Sequence, residues 1–278
     1  MSATVTRPKV DEFNILDHFD GALGGLGGVA NVIMQLSHPA VGYGVYESKV
    51  DSGSAMKRPY KRARTTGTFL AVALVGTDDD KRVMREAINS QHRHVRSTEE
   101  SPVEYNAFSR DLQLWVAACL YQGTVDLIEA LHGLPDETTQ DRIYQHCATF
   151  GTTLQVPPEM WPADRAAFQN YWDEQSSKVV IDDAIRRFLM GLVMLVNVAW
   201  PLRAFAPLHR WFVTAFLPPA FREQMHLTWT ERDQRRFVRV MRGIGWVSRK
   251  LPQRVRNWPV FLNLWDLRRR VRKGKSLV

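Results

Sequence analysis

No segment of this 278-residue chain alternates apolar and polar residues between turn residues, which is the pattern of half-buried β-strands. Signals that end helices are present instead. The apolar run that begins at Leu112 ends at Gly133, with Pro135 just beyond it. Gly76 and the three aspartates that follow Thr77 mark another helix end and an acidic helix start. The sequence therefore predicts an all-α fold.

The predicted helices follow one another without a long linker or an internal repeat. They cover residues 29–36, 60–75, 79–96, 112–132, 141–150, 163–178 and 182–200. We therefore expect a single multi-helix domain over residues 15–248, preceded by a flexible polar arm (1–14). Residues 249–278, called the basic tail below, are expected to form a basic amphipathic extension.

The overall composition is that of a globular protein. Hydrophobic residues make up 45% and charged residues 24% of the chain, which is long enough to bury a core. Cys119 and Cys147 give neither a disulfide framework nor a metal-ligand spacing, so we expect buried thiols in a reducing compartment. The N-terminal residues MSATVTRPKVDEF lack the apolar stretch of a secretory signal. These features predict a cytoplasmic protein.

Positive charge is concentrated in the basic tail. It holds ten of the 37 Lys and Arg residues but one of the 29 acidic residues, a net charge of +9. The rest of the chain is close to neutral, so no nucleic-acid-binding surface is expected over the whole protein. The tail also carries Trp258 and Trp265, and basic segments with aromatic rings bind anionic membrane surfaces. Peripheral membrane attachment and packing of these rings onto the domain both remain open.

The uncharged stretch 188–202 is 15 residues long, which is shorter than the roughly 20 residues of a membrane-spanning helix. We therefore expect a buried core helix whose apolar surface suits a lipid-like or isoprenoid-like ligand. The sequence has no phosphate-binding loop, no nucleophile elbow and no cysteine-rich zinc motif. Catalysis by this chain would then depend on a cofactor.

Two histidines, His92 and His94, lie on the predicted helix 79–96 and are candidate metal ligands. At about 100° per residue they fall on opposite edges of the apolar stripe formed by Met84, Ile88 and Val95. Side chains two residues apart on a helix do not face one metal ion. One histidine is expected to point inward, and the periodicity leaves open which one.

Arg62 and Thr66 lie one helical turn apart, on one face of the predicted helix 60–75. A buried arginine requires an anionic partner, such as a haem propionate, a bound dioxygen species or a carboxylate. The alternative is a solvated arginine within the basic run 57–64.

Two Glu-x-x-His pairs, Glu129–His132 and Glu223–His226, allow a second metal interpretation. Ferritin-like di-iron proteins use two such pairs on neighbouring helices of a bundle. Here His132 directly precedes the helix-ending Gly133, and the second pair is expected to open a short helix. Neither pair lies in the middle of a helix, where a di-iron core needs it.

An ordered series of motifs resembles the family of rubber oxygenase (latex-clearing protein) and the MpaB-type oxygenases. The series contains QLSHPAVGYGV (35–45), RARTT (62–66), a Gly-Thr pair (76–77), His-x-x-Val (92–95), YNAF (105–108), LWVAACL (114–120) and VPPEMWPADRAAFQNYW (156–172). Each motif is loose alone, but their order and spacing over about residues 20–220 are typical of that family.

The resemblance implies an all-helical domain with a buried pocket for one b-type haem. By motif, the axial iron ligand is His92, because the His-x-x-Val match chooses between the two histidines. Arg62 and Thr66 match the arginine and threonine that lie near the haem, where they would act in catalysis. His38, in the His-Pro motif, is a weaker candidate for the haem pocket.

Two positions depart from the pattern. Rubber-cleaving members carry a lysine where this chain has Thr65, and many relatives carry a histidine where it has Ala117. Rubber cleavage itself is therefore not carried over. The resemblance therefore implies a haem b-dependent oxygenase that uses dioxygen, and we expect it to act on an apolar substrate. The alternatives are a non-catalytic haem carrier or sensor, a di-iron carboxylate helical oxidase, and a helical module that docks on membranes.

Overall fold

The computed structural model, which describes residues 13–278, has a helix in every segment where the sequence predicts one. Within the described residues the β-pairing is a single isolated bridge between Arg96 and Asn106. The predicted all-α fold is therefore confirmed. The helices are α1 (Ile15–His18), α2 (Gly28–Leu36), α3 (Pro39–Tyr46), α4 (Pro59–Val75), α5 (Asp78–His92), α6 (Arg110–His132), α7 (Glu137–Cys147), α8 (Thr149–Thr152), α9 (Arg165–Ser176), α10 (Asp183–Val193), α11 (Trp200–Arg203), α12 (Ala206–Phe216), α13 (Pro219–Gln224), α14 (Glu231–Ser248), α15 (Gln253–Arg256) and α16 (Trp258–Arg272).

Side-chain caps explain several of these helix starts. At α5 the Thr77 hydroxyl accepts from the Asp80 amide at 3.2 Å, and the Asp80 carboxylate accepts from the Thr77 amide at 3.0 Å. This reciprocal capping box satisfies two amides that the first turn leaves unpaired. At α10 the Asp182 carboxylate accepts from the amides of Ala184 and Ile185, both at 2.9 Å. These short polar signals place α5 and α10 where the sequence predicts them.

Helix α6 lies at the centre of the domain and contacts α2, α8 and α14. Its approach to α14 depends on Gly245, where a Cβ would lie 1.9 Å from the Leu131 carbonyl oxygen. Among the described helices α6 alone is long and apolar enough to cross a bilayer, but most of its apolar stretch is buried. Its packing is that of a core helix, with Trp115 fully buried beside the ring of Trp172.

The prediction of one buried helix over residues 182–200 is wrong in its second half. Helix α10 ends at Val193, and Leu195 adopts a left-handed conformation with φ of 55°. The Val196 amide donates to the Gly191 carbonyl at 2.9 Å and the Leu195 amide donates to the Leu192 carbonyl at 3.1 Å. This is a Schellman motif, which ends a helix and turns the chain. The apolar residues that follow are exposed rather than buried.

The basic tail is part of the folded domain. Helix α16 packs along α4, and Val260, Leu264 and Leu267 are buried. The other face of α16 remains exposed and includes Trp258 and Trp265. The aliphatic face of α16 therefore packs onto the domain, the two tryptophan rings do not, and membrane attachment of the tail stays a prediction.

Asn14 of the N-terminal arm caps α1, and both cysteines are buried. Residues 1–12 of the predicted flexible arm lie outside the described residues, and Asn14 caps α1 through a 3.1 Å bond from the Leu16 amide. Cys119 and Cys147 are buried and unpaired, as expected. Burial raises the pKa of both thiols, so neither has the thiolate character of a reactive cysteine.

Candidate functional site

A cavity of about 270 Å³ lies between the α2–α3 corner, α4, α5 and α6, and loop 48–54 and residues 95–107 close its sides. Most of the wall is apolar and includes Val41, Phe69, Ile88, Val116 and Leu120. No residue of the stretch 188–200 lines it, so the expectation that this stretch forms the apolar pocket is wrong. The apolar wall comes instead from α3 to α6.

Helix α4 turns one face to the cavity and the opposite face to α16. Four residues of α4 line the cavity: Arg62, Thr65, Thr66 and Phe69. From one turn to the next they are three or four positions apart, so they share one face of the helix. On the opposite face the Thr68 hydroxyl lies 3.3 Å from the Asn263 side-chain oxygen. The arrangement confirms that Arg62 and Thr66 share a face, and it orients that face inward.

Arg62 is enclosed by protein but keeps much of its surface open to the cavity. Burial lowers the pKa of its guanidinium, although an arginine remains charged at neutral pH. Its guanidinium forms no hydrogen bond or ion pair with any residue that the structure describes. Its side chain is accessible from the cavity, so it is available to donate to an anionic or oxygen-bearing ligand there.

His92 also lines the cavity, at the last turn of α5, whereas His94 is exposed. Burial, followed by the charge of Arg62, lowers the pKa of His92 to about 4, so its imidazole is neutral at pH 7. Its Nδ1 atom is buried, and neither ring nitrogen has a hydrogen-bond partner among residues 13–278. A neutral imidazole with free nitrogens in a cavity is suited to bind a metal ion. The structure thus places the inward histidine at position 92.

His38 is placed differently from the other candidates. It precedes the first turn of α3 without a side-chain capping bond, lies outside the cavity wall, and has its ring 6.5 Å from that of Trp115. Burial lowers the pKa of its imidazole, and its buried Nδ1 has no partner within the part of the chain described. The structure therefore does not bring His38 together with Arg62, Thr66 and His92.

The sequence analysis missed a polar network at the α6 side of the cavity. The Gln113 amide group donates to the Gln155 side-chain oxygen at 2.7 Å, and Gln155 in turn donates to the Asn89 side chain. Gln113 lines the cavity although it is nearly fully buried. A glutamine within an apolar run such as LQLWV is the signal that would have identified it. The network fixes the orientation of one polar wall.

The two Glu-x-x-His pairs do not converge. The His132 imidazole is hydrogen-bonded to Asp20 and receives a 3.0 Å bond from Arg249, while Glu129 is exposed. Glu223 and His226 are both exposed, and His226 follows the end of α13 with φ of 54°. The expectation that this pair opens a short helix is therefore wrong. Within residues 13–278 no three His, Cys, Asp or Glu side chains are grouped as a metal site requires.

The comparisons with known proteins agree with the motif series. The family described as ER-bound oxygenase mpaB/B'/Rubber oxygenase, catalytic domain, matches residues 17–246. An uncharacterized protein of Mycobacterium bovis and an uncharacterized protein of Mycobacterium tuberculosis are each 49% identical over 250 residues, which is 90% of this chain and 98% of the relative. No solved structure matches the chain. The family match includes every residue that lines the cavity and ends before the basic tail.

Proposed function

Because the chain belongs to the family of ER-bound oxygenase mpaB/B' and rubber oxygenase catalytic domains, we propose that it is a haem b-dependent oxygenase acting on an apolar substrate. An oxygenase of this family acts on a small molecule with dioxygen. The proposal adds the cofactor, the substrate class and the residues that serve them.

One observation carries the proposal. Arg62 and His92 line the same apolar cavity, and neither side chain is hydrogen-bonded to a described residue. A buried imidazole nitrogen normally has a partner, and Arg62 presents its accessible side chain to the same space, so a ligand that bonds to both groups suits this cavity. A haem fits this donor set, because it offers iron to an imidazole and carboxylates to a guanidinium.

His92 would hold the haem iron through a ring nitrogen, and its low pKa means that no proton has to leave before it binds. When bound, the haem supplies the dioxygen chemistry. Arg62 would stabilise negative charge that develops in the cavity, or would bind a propionate. Thr66, one turn along α4, contributes a hydroxyl to the same wall. His38, which lies outside the wall, would influence the site only through its neighbours.

One feature of His92 differs from the usual arrangement. A metal-bound histidine normally donates its second N–H to a carbonyl or carboxylate, which holds the ring in position. Among residues 13–278 no such acceptor contacts His92. Its ring is positioned instead by packing, with Phe108 at 6.2 Å in an edge-to-face contact.

The apolar wall supports an apolar substrate of lipid-like or isoprenoid-like chemistry. Of the two departures from the rubber-cleaving pattern, Thr65 lines the cavity, whereas Ala117 is buried in the core away from it. Only the change at Thr65 can therefore alter the cavity directly. A lysine there would place a second cation on the same helix face as Arg62.

We also propose a cytoplasmic protein that attaches peripherally to anionic membrane through the basic tail. Trp258 and Trp265 are about half exposed on α16, and the Arg269 guanidinium lies 5.0 Å from the Trp265 ring. Exposed rings beside arginines suit a lipid headgroup region. Because one face of the tail is buried in the domain, its membrane attachment has to be tested with point substitutions on the exposed face and not by removing the tail.

An absorption spectrum of the freshly purified protein tests the haem proposal. A Soret band with one haem per chain is expected. A colourless protein that holds two iron ions would contradict it and favour the di-iron oxidase, and a protein without metal would favour a non-catalytic module. Oxygen uptake that depends on an added apolar substrate distinguishes an oxygenase from a haem carrier or sensor.

A further inference from the structure

Residues 194–208 form an apolar protrusion on the surface. It contains the turn after α10, helix α11 and the first residues of α12. Trp200 has 82% of its surface exposed and Phe205 has 59%. The other large exposed side chains of the protrusion are Met194, Val196, Leu202 and Leu208. Six large apolar side chains exposed within one short segment mark a place where something else binds.

Hydrogen bonds give the protrusion a defined shape. The Arg203 guanidinium donates to the Val196 carbonyl at 2.7 Å and to the Val198 carbonyl at 3.1 Å. The Asn197 amide group donates to the Ala55 carbonyl at 2.9 Å, and the His209 Nδ1 atom lies 2.8 Å from the Val193 carbonyl oxygen. The exposed rings are therefore held outward by a built turn. Such preorganisation lowers the entropic cost of binding.

The charge of the protrusion indicates which kind of surface it binds. Residues 184–222 contain five arginines and not one Asp or Glu. Arg187, Arg203 and Arg210 are exposed, so this segment itself carries exposed positive charge and no negative charge. A second copy of this chain would bring the same cations together, which opposes a symmetric dimer. An anionic bilayer surface complements both the rings and the arginines.

The lengths of the helices determine how the protrusion would meet a bilayer. Helix α11 has 4 residues and α12 has 11, whereas a spanning helix needs about 20. Segments this short lie in the interface, with aromatic rings among the headgroups and arginine stems extended towards phosphate.

We propose that residues 194–208 are an interfacial docking site for an anionic lipid bilayer, distinct from the exposed face of the basic tail. Trp200 and Phe205 enter the headgroup region, and the neighbouring arginines contact lipid phosphate. This docking depends only on the surface and holds whether or not the cavity binds haem.

The protrusion is also joined to the cavity wall. The Asn197 side chain is hydrogen-bonded to the Ala55 carbonyl. Met56 packs closely on Gly191, because a Cβ added to Gly191 would lie 3.3 Å from the Met56 Cε atom. The adjacent Ser54 lines the cavity. Docking would therefore place the bilayer beside loop 48–58, next to the cavity. The further step, that an apolar substrate enters from the bilayer along this loop, rests on the proposed function.

Co-sedimentation of the full chain with vesicles tests the docking site. We expect binding to vesicles of phosphatidylcholine mixed with phosphatidylserine, weaker binding as salt rises, and little binding to phosphatidylcholine alone. The double variant Trp200→Ser, Phe205→Ser should bind roughly tenfold or more weakly, a loss of about 1.4 kcal/mol or more. Because both side chains are exposed, its thermal unfolding should match that of the parent.

A second variant, Trp258→Ser, Trp265→Ser, removes from the basic tail two rings that are each about half exposed. If only this tail variant loses binding, or if the parent binds neither kind of vesicle, the protrusion is not the docking site. The same conclusion follows if the protrusion variant loses concentration-dependent dimers while its vesicle binding equals that of the parent. None of these measurements depends on haem binding or on catalytic turnover. A negative result for the docking site would therefore leave the oxygenase proposal untouched.

Discussion

Arg62 and His92 line one cavity from two different helices, and the charge of Arg62 adds to burial in lowering the pKa of His92 to about 4. The two groups therefore cannot both be charged without cost. A neutral imidazole beside a fixed cation is the arrangement that a metal ligand and an anion-binding group need.

The low pKa of His92 predicts a pH dependence of stability in protein free of bound ligand. The unfolded chain protonates His92 near pH 6.5, whereas the folded chain protonates it near pH 4. Between these values the unfolded state binds the extra proton, so the free energy of unfolding falls as the pH falls. From pH 6.5 to 5 the contribution is roughly 2 kcal/mol.

Urea unfolding at pH 7 and pH 5 measures this effect. The variant His92→Gln should lose less stability than the parent over that interval. The control His94→Gln, at an exposed position of the adjoining turn, should behave as the parent does. An identical pH response in parent and His92→Gln would mean that the imidazole is solvated rather than enclosed.

Haem content distinguishes the two histidines. His92→Ala removes the proposed ligand from the cavity, so we expect a loss of most haem after purification. His94→Ala should keep haem at one per chain, because His94 lies on the exposed side of the same turn. The ratio of Soret to protein absorbance gives the answer. A His92→Ala protein with the parent's haem content would place the ligand elsewhere.

Arg62→Ala tests the role of the unpaired cation. We expect haem to be retained while turnover, followed as substrate-dependent oxygen uptake, falls on the order of 100-fold, the usual effect of losing one donor to developing charge. Arg64→Ala is the matched control, because Arg64 lies on α4 but faces the C-terminus, where it donates to the Leu277 carbonyl at 3.3 Å. Equal turnover in the two variants would remove Arg62 from catalysis.

Much of the site follows from local sequence rules. Helical periodicity places Arg62 and Thr66 on one face, and it puts His92 and His94 on opposite edges of the predicted helix 79–96, although α5 ends at His92 and His94 lies beyond it. Periodicity does not say which edge is buried, because that depends on α4 and α6, which pack from elsewhere in the chain. The His-x-x-Val motif indicated His92, and the structure places His92 rather than His94 in the cavity wall.

The errors in the fold have a different physical origin. Helices α10 and α13 end in left-handed residues, Leu195 and His226, where glycine is the usual signal. Without that glycine, the apolar run after Val193 looks like a continuous buried helix. A run of apolar residues also does not reveal whether it faces the core or a partner. The exposed protrusion at 194–208 could therefore be found only in the structure.

Asp20 forms a buried polar centre that joins distant parts of the chain. Its carboxylate accepts from the Ser248 hydroxyl at 2.7 Å and from Arg256 at 3.2 Å, and it is hydrogen-bonded to His132. Burial alone would raise the pKa of Asp20, but the hydrogen bonds from His132 and Ser248 hold it below its usual value. The carboxylate is therefore ionised in the folded protein.

Asp20→Ala should lower the free energy of unfolding by about 3–5 kcal/mol, because it leaves buried partners without their acceptor. Urea unfolding measures the loss. The exposed ion pair between Asp51 and Lys57 provides the control, and Asp51→Ala should leave stability unchanged within error. Comparable stability in the two variants would show that the centre around Asp20 is open to water.

Removal of the basic tail should unfold the domain rather than abolish membrane attachment alone. The cut at residue 249 would expose the α4 face that α16 covers, and it would leave Asp80 without its 2.7 Å ion pair to Arg268. Each buried aliphatic side chain of α16 contributes about 1.5–3 kcal/mol, and three of them approach the total stability of a domain, about 5–15 kcal/mol. We expect a chain of residues 1–248 to be insoluble or to lack a cooperative thermal transition by circular dichroism. A soluble chain that unfolds at the parent's temperature would show that α16 is a separable segment.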